Sequence, residues 1–156
     1  MFLFRFSGKT LNFDLSNWDA GTIHWTSLKE GMERAREEEK PVMLVVHKHR
    51  CPASDHLRKC FATSDQVNSL ASNFVMVHMD SENAKGINGI SSDEKLFPKI
   101  MFFDPYGNHI PTVKNFPAWK RYMFSFTPER EVVNGMTEVK SMFLKKKPRK
   151  LPTYQW

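Results

Sequence analysis

Cys51 and Cys60 are the only two cysteines among 156 residues, too few for a disulfide scaffold, so they are either buried spectators or one of them does chemistry. Cys51 has the better setting. It follows an apolar run and a basic segment, His47-Lys48-His49-Arg50, and directly precedes Pro52, a residue suited to the first turn of a helix. Where a helix begins, its unpaired N–H groups and positive dipole end favour an anion, and Lys48 and Arg50 add positive charge. Ser54, three residues on, is placed to donate a hydroxyl hydrogen bond toward the sulfur. Cys51-Pro52-Ala53-Ser54 therefore predicts a stabilised thiolate able to attack a disulfide, the alternative being a passive cysteine at a strand end. A metal reading competes: His47, His49 and Cys51 alternate as they would on one face of a strand, and His56 and Cys60 are four apart, as on one face of a helix. The two groups belong to different elements and match no recognised zinc spacing, so no metal site is assigned.

The elements that must position Cys51 can be read from periodicity. Val42 to Val46, closed off by Pro41, and Phe74 to Met79 are short, β-branched, apolar runs that read as buried strands. Ser27-x-x-Glu30 has the form of a capping box and opens a helix to about Glu39, with Leu28, Met32 and Ala35 as its apolar stripe and Gly31 as a weak point. Leu57, Cys60 and Phe61 mark a helix after Cys51, and Ser64 caps a shorter one carrying Val67, Leu70 and Ala71. Asp80 to Leu96 reads as a long exposed loop. Asp104-Pro105-Tyr106-Gly107 has the order of a type I turn and predicts a hairpin of strands at about 99 to 103 and 108 to 113. Lys114 to Phe126 is aromatic and irregular. Thr127 and Pro128 then open a helix with Val132, Met136, Val139 and Phe143 on one stripe. Residues 1–22 read as an N-terminal arm adding an edge strand, 23–144 as one domain, and 145–156 as a basic tail. The fold class is α/β, with a central mixed sheet flanked by helices.

The order of strand, Cys51-Pro52-Ala53-Ser54, helix, and then Phe97-Pro98 before a hairpin and terminal helix resembles a thioredoxin fold. The runs Ile23-His24-Trp25, His47-Lys48, Phe74-Val75-Met76-Val77, Pro98-Lys99-Ile100-Met101-Phe102-Phe103-Asp104-Pro105 and Val133-Asn134-Gly135-Met136 resemble the small endoplasmic-reticulum thioredoxin-domain proteins. These include the anterior-gradient branch of the protein disulfide isomerase family. The resemblance implies that Cys51 is the nucleophile, that Pro98 is a cis-proline facing it, and that Arg50, Pro52 and Phe97 flank a client-binding groove. It also implies cysteine-containing client proteins as partners, no organic cofactor, and residence in the endoplasmic reticulum or secretion. Ser54 stands where redox-competent members carry a second cysteine, and Arg50 where they carry Trp. Without a second thiol, release of a mixed disulfide falls to an external thiol or to the client itself. Cys60 lies nine residues further along one helix, about 13.5 Å at the helical rise, whereas bridgeable Cα pairs lie within ~7 Å.

Composition narrows the alternatives. Hydrophobic residues make up 40% of the chain, 13 of them Phe, enough for a packed core. The mean hydropathy of −0.50 and the absence of an ~18-residue apolar stretch argue against a membrane span. Of the 23 basic residues six lie from Lys140 onward with no acid among them, and the other 17 balance the 17 acidic ones. The net +6 is thus a property of the tail, which offers an anionic-surface contact at most, and no nucleic-acid partner is expected. Met1 to Lys9, broken by Arg5, does not read as a signal peptide, and Leu151 to Trp156 contains no retention signal of the Lys-Asp-Glu-Leu type, which keeps a cytoplasmic location as the alternative. Two functions follow: a thiol–disulfide exchange or isomerase protein limited by its missing resolving cysteine, or a redox-inactive scaffold that binds partners or a second copy of itself.

Overall fold

Five consecutive residues, Val42 to Val46, have no exposure to solvent, which requires a strand with neighbours on both edges and layers on both faces. The computed structural model, which describes residues 3–6, 9–12, 18, 21–85, 87, 97–110 and 128–144, supplies both. In chain order its elements are β1 (Leu3–Phe6), β2 (Lys9–Asn12), β3 (Trp25–Thr26), α1 (Leu28–Glu38), β4 (Val42–His47), α2 (Pro52–Thr63), α3 (Asp65–Ala71), β5 (Val75–Asp80), α4 (Ser81–Ala84), β6 (Lys99–Phe103) and α5 (Pro128–Leu144). The main sheet runs β3-β5-β4-β6, with β3 and β4 parallel to β5 and β6 antiparallel to β4. The α/β class and the mixed sheet flanked by helices are therefore what the chain adopts.

Alternation along β4 divides the core in two. Met43 and Val45 pack with Trp25, Leu57, Phe61, Val67, Val132, Met136 and Val139, so α2, α3 and α5 cover that face. Val42, Leu44 and Val46 pack with Ala35, Ala84 and Phe103 beneath α1 and α4. The caps lie where the sequence places them: Ser27 Oγ accepts the Glu30 N–H at 3.3 Å, and Ser64 Oγ accepts the Val67 N–H at 3.2 Å. Glu39 ends α1 in the left-handed region at φ 52°, and Arg34 and Lys40 both pair with Glu38, relieving its position at the helix C-terminus.

Several boundaries differ from expectation. Residues 1–22 contribute no edge strand to the main sheet among the described residues; β1 and β2 pair with each other, and the sheet ends in Trp25–Thr26 on one side and β6 on the other. The excursion after Asp80 begins with a short helix, because Asp80 itself caps it by accepting the Glu82 N–H at 2.8 Å. The hairpin after β6 is present as one bridge, Phe103 with His109, closed by the Asp104–Gly107 turn, in which Gly107 has φ +87°. The remainder of its second strand, the aromatic segment 114–126, Thr127 and the basic tail lie outside the described residues.

Gly31 illustrates how tightly α1 lies on the sheet. A Cβ built there falls on Val77 Cγ2 and comes within 3.2 Å of Thr26 Cγ2. The residue that weakens the helix by propensity is the one that lets it approach the strands. Gly31→Ala should lower stability by about 1–3 kcal/mol through overpacking, in spite of the ~1 kcal/mol that alanine adds in helix propensity. Urea denaturation at neutral pH measures the sign.

Candidate functional site

The antiparallel pairing of β4 with β6 sets Val46 opposite Lys99, so the exit of one strand lies beside the entry of the other. After His47 the chain turns through the exposed residues Lys48, His49 and Arg50, with Arg50 in the left-handed region at φ 54°. It enters α2 with Cys51 as N-cap residue and Pro52 in the first turn. On the other strand, Phe97 and Pro98 precede Lys99, and the peptide joining them is cis. Residues 46 apart in sequence thus meet: the half-buried Cys51 Sγ lies 4.0 Å from the carbonyl oxygen of Phe97, at the outer limit of a sulfur hydrogen bond. Pro98 is buried, and Pro52 is exposed on the rim.

The buried Ser54 takes a different part from the one its position suggests. Its Oγ accepts the Lys48 N–H at 3.1 Å, so the bond that forms ties the hydroxyl to the backbone of the turn and not to the sulfur. The Cys51 side chain makes no capping bond to its own helix. Ser54 thereby holds the loop that presents Cys51.

The histidines divide. His49 and His56 are exposed, while His47 turns inward and its Nε2 lies 3.1 Å from His78 Nδ1. Trp18 stacks on both rings, at 4.7 Å from His47 and 5.5 Å from His78, and Trp25 meets His78 edge-on at 5.3 Å. Burial, reinforced by His78, pushes the His47 pKa down to about 4 against the opposing pull of Asp80, whose carboxylate is 4.0 Å away. Among the described residues no group of three or more His, Cys, Asp or Glu side chains is placed to hold a metal ion. The observed register pairs Val42 with Val75, which puts His47 opposite Asp80 and Val45 opposite His78, one residue out of step with aligning the two apolar runs at Val42 and Phe74. Trp18, in the polar stretch before β3, had no legible signal in the sequence.

Cys60 lies in α2, packed against the core, and its thiol is pushed up to about 12, chiefly by burial and further by Glu129. A cavity of about 550 Å³ between α2, α3 and α5 opens beside it, lined also by His56, Ser64 and Glu129.

The Thioredoxin-like family model matches residues 24–105, more than half of the chain and the whole segment that builds this site. The chain belongs to the thioredoxin-like family. Within it, the chain is similar to anterior gradient proteins. It is 30% identical to Anterior gradient protein 1 of Xenopus laevis over 126 residues, which cover 80% of this chain and 67% of that one. It is 33% identical to the Anterior gradient protein 2 homolog of Homo sapiens over 88 residues, 56% of this chain and 49% of that one. The chain thus spans about half the length of the first of the curated relatives it matches. A thioredoxin-fold protein from Helicobacter pylori aligns at a TM-score of 0.39 with 10% identity, over 69% of this chain and 86% of that one. The assignment rests on the family match.

Two outcomes follow from these environments. A histidine with a lowered folded-state pKa binds its proton less readily than in the unfolded chain, so the unfolded state takes up more protons between the ordinary value of 6.5 and about 4. The stability that neutral His47 permits is fully present above pH 6.5 and lost as pH falls toward 4; urea titrations should show this slope shrinking in His47→Gln. For Cys60, iodoacetamide at pH 8 should leave the thiol unmodified in native Cys51→Ser and label it only after unfolding, as peptide mass spectrometry will show.

Proposed function

We propose that the chain is a protein-disulfide-isomerase-related protein that uses Cys51 to form mixed disulfides with cysteine-containing clients during folding. The observation that carries the reading is the position of Cys51 Sγ, half-buried at the start of α2 and 4.0 Å from the carbonyl of the cis Phe97–Pro98 peptide. An extended client lying along that carbonyl would bring its own sulfur to Cys51, with Pro98 shaping the groove and Arg50, Pro52 and Phe97 at its border. The Cys-x-x-Ser sequence supports capture and slow exchange over rapid oxidation, because no thiol stands within reach to release the adduct. The position of Cys60, nine residues along α2 and only half-buried against the core, supports the same conclusion. Clients that bear disulfides are most abundant in an oxidising compartment, which supports an activity in the endoplasmic reticulum or outside the cell.

The test is incubation of the full chain with a disulfide-containing peptide, followed by intact-mass spectrometry without reductant. The chain and its Cys60→Ser variant should gain one peptide mass that dithiothreitol removes, and Cys51→Ser should gain none. Peptide binding that persists unchanged in Cys51→Ser would replace this reading with that of a non-covalent binding module.

A further inference from the structure

Among the described residues, the exposed side chains that lead into Cys51 are basic. Lys48, His49 and Arg50 form an exposed, uninterrupted basic turn immediately before it. From the facing strand, Lys99 places its Nζ 5.1 Å above the ring of Phe97, the residue whose carbonyl touches the sulfur. Of the described acids, Asp55 and Asp80 lie on the elements next to this turn. Asp55, in the first turn of α2, holds Arg58 at 2.7 Å, and Asp80 faces His47. Among the described residues no carboxylate lies within ion-pair distance of Lys48, Arg50 or Lys99. These cations come from two separate elements, the β4–α2 turn that leads into Cys51 and the start of β6 next to Phe97.

Building on the mixed-disulfide reading above, we propose that this basic border makes Cys51 selective for polypeptides whose reactive cysteine is flanked by acidic residues. In the step concerned, the Cys51 thiolate attacks one sulfur of a client disulfide. The new Sγ–S bond forms as the client S–S bond breaks, and the displaced client thiolate takes the electron pair and a proton from solvent. One disulfide replaces another, with the client's own disulfide as oxidant. Carboxylates beside the attacked sulfur would lie against Lys48, Arg50 and Lys99.

Three peptides, identical except for acidic, neutral or basic residues flanking a single cysteine, test this when each cysteine is activated as a 2-thiopyridyl disulfide. Release of pyridinethione by the full chain gives the rate. At about 0.01 M salt the acidic peptide should react about tenfold faster than the basic one, as expected of two or three solvent-screened charge pairs. The ratio should approach one at about 1 M salt and in Lys48→Gln/Arg50→Gln/Lys99→Gln. If that triple variant loses its native circular dichroism, the single Lys48→Gln change and the salt dependence decide. Equal rates for the three peptides at low salt would overturn charge selection and leave mixed-disulfide formation standing. Rates no faster than those of Cys51→Ser for any peptide would overturn both.

Discussion

The antiparallel register of β4 against β6 is the constraint from which the site follows. With Val46 opposite Lys99, the loop leaving one strand and the cis peptide entering the other are forced to share the same end of the sheet. Neither segment needs a long-range contact of its own to find its partner. The ladder that buries Val42 to Val46 also sets the distance from Cys51 to Phe97, so core packing and site geometry are one problem. Substitutions that loosen the central strands would therefore act on the sulfur at a distance, through register, without touching it.

Much of this was legible in the sequence. Continuous β-branched runs gave the buried strands, Ser27 and Ser64 gave helix starts, and Cys51-Pro52 after a strand gave the helix that presents the thiol. These are local signals, in which the residue that forms the feature also announces it. The expectation that residues 1–22 add an edge strand rests on local pattern, and a strand's partner is not encoded in its own pattern; among the described residues of that stretch, β1 and β2 pair with each other. β3 is only two residues long and so offers no periodicity to read.

The site was less legible than the fold for a related reason. A hydroxyl three residues from a cysteine has several acceptors and donors within reach, and which it chooses depends on where the intervening loop travels. Arg50 in the left-handed region turns that loop so that the Lys48 N–H points to Ser54. The stacking of Trp18 over two histidines depends on three segments meeting, and composition is silent on such encounters. Gly31 is the converse case: its cost to helix propensity was visible, while its benefit, room for Val77, exists only in the packed state.

The Ser54 hydrogen bond bears on how such a chain could change over time. A serine oxygen is a good acceptor for the Lys48 amide, and a cysteine sulfur in its place is a weak one. Exchanging Ser54 for cysteine would supply a second sulfur and, in the same stroke, withdraw the acceptor that fastens the presenting loop, in a position almost closed to water. The route from one thiol to two is thus uphill unless another residue first takes over that amide. The loop that presents Cys51 rests on an oxygen at the one place where a second sulfur would have to stand.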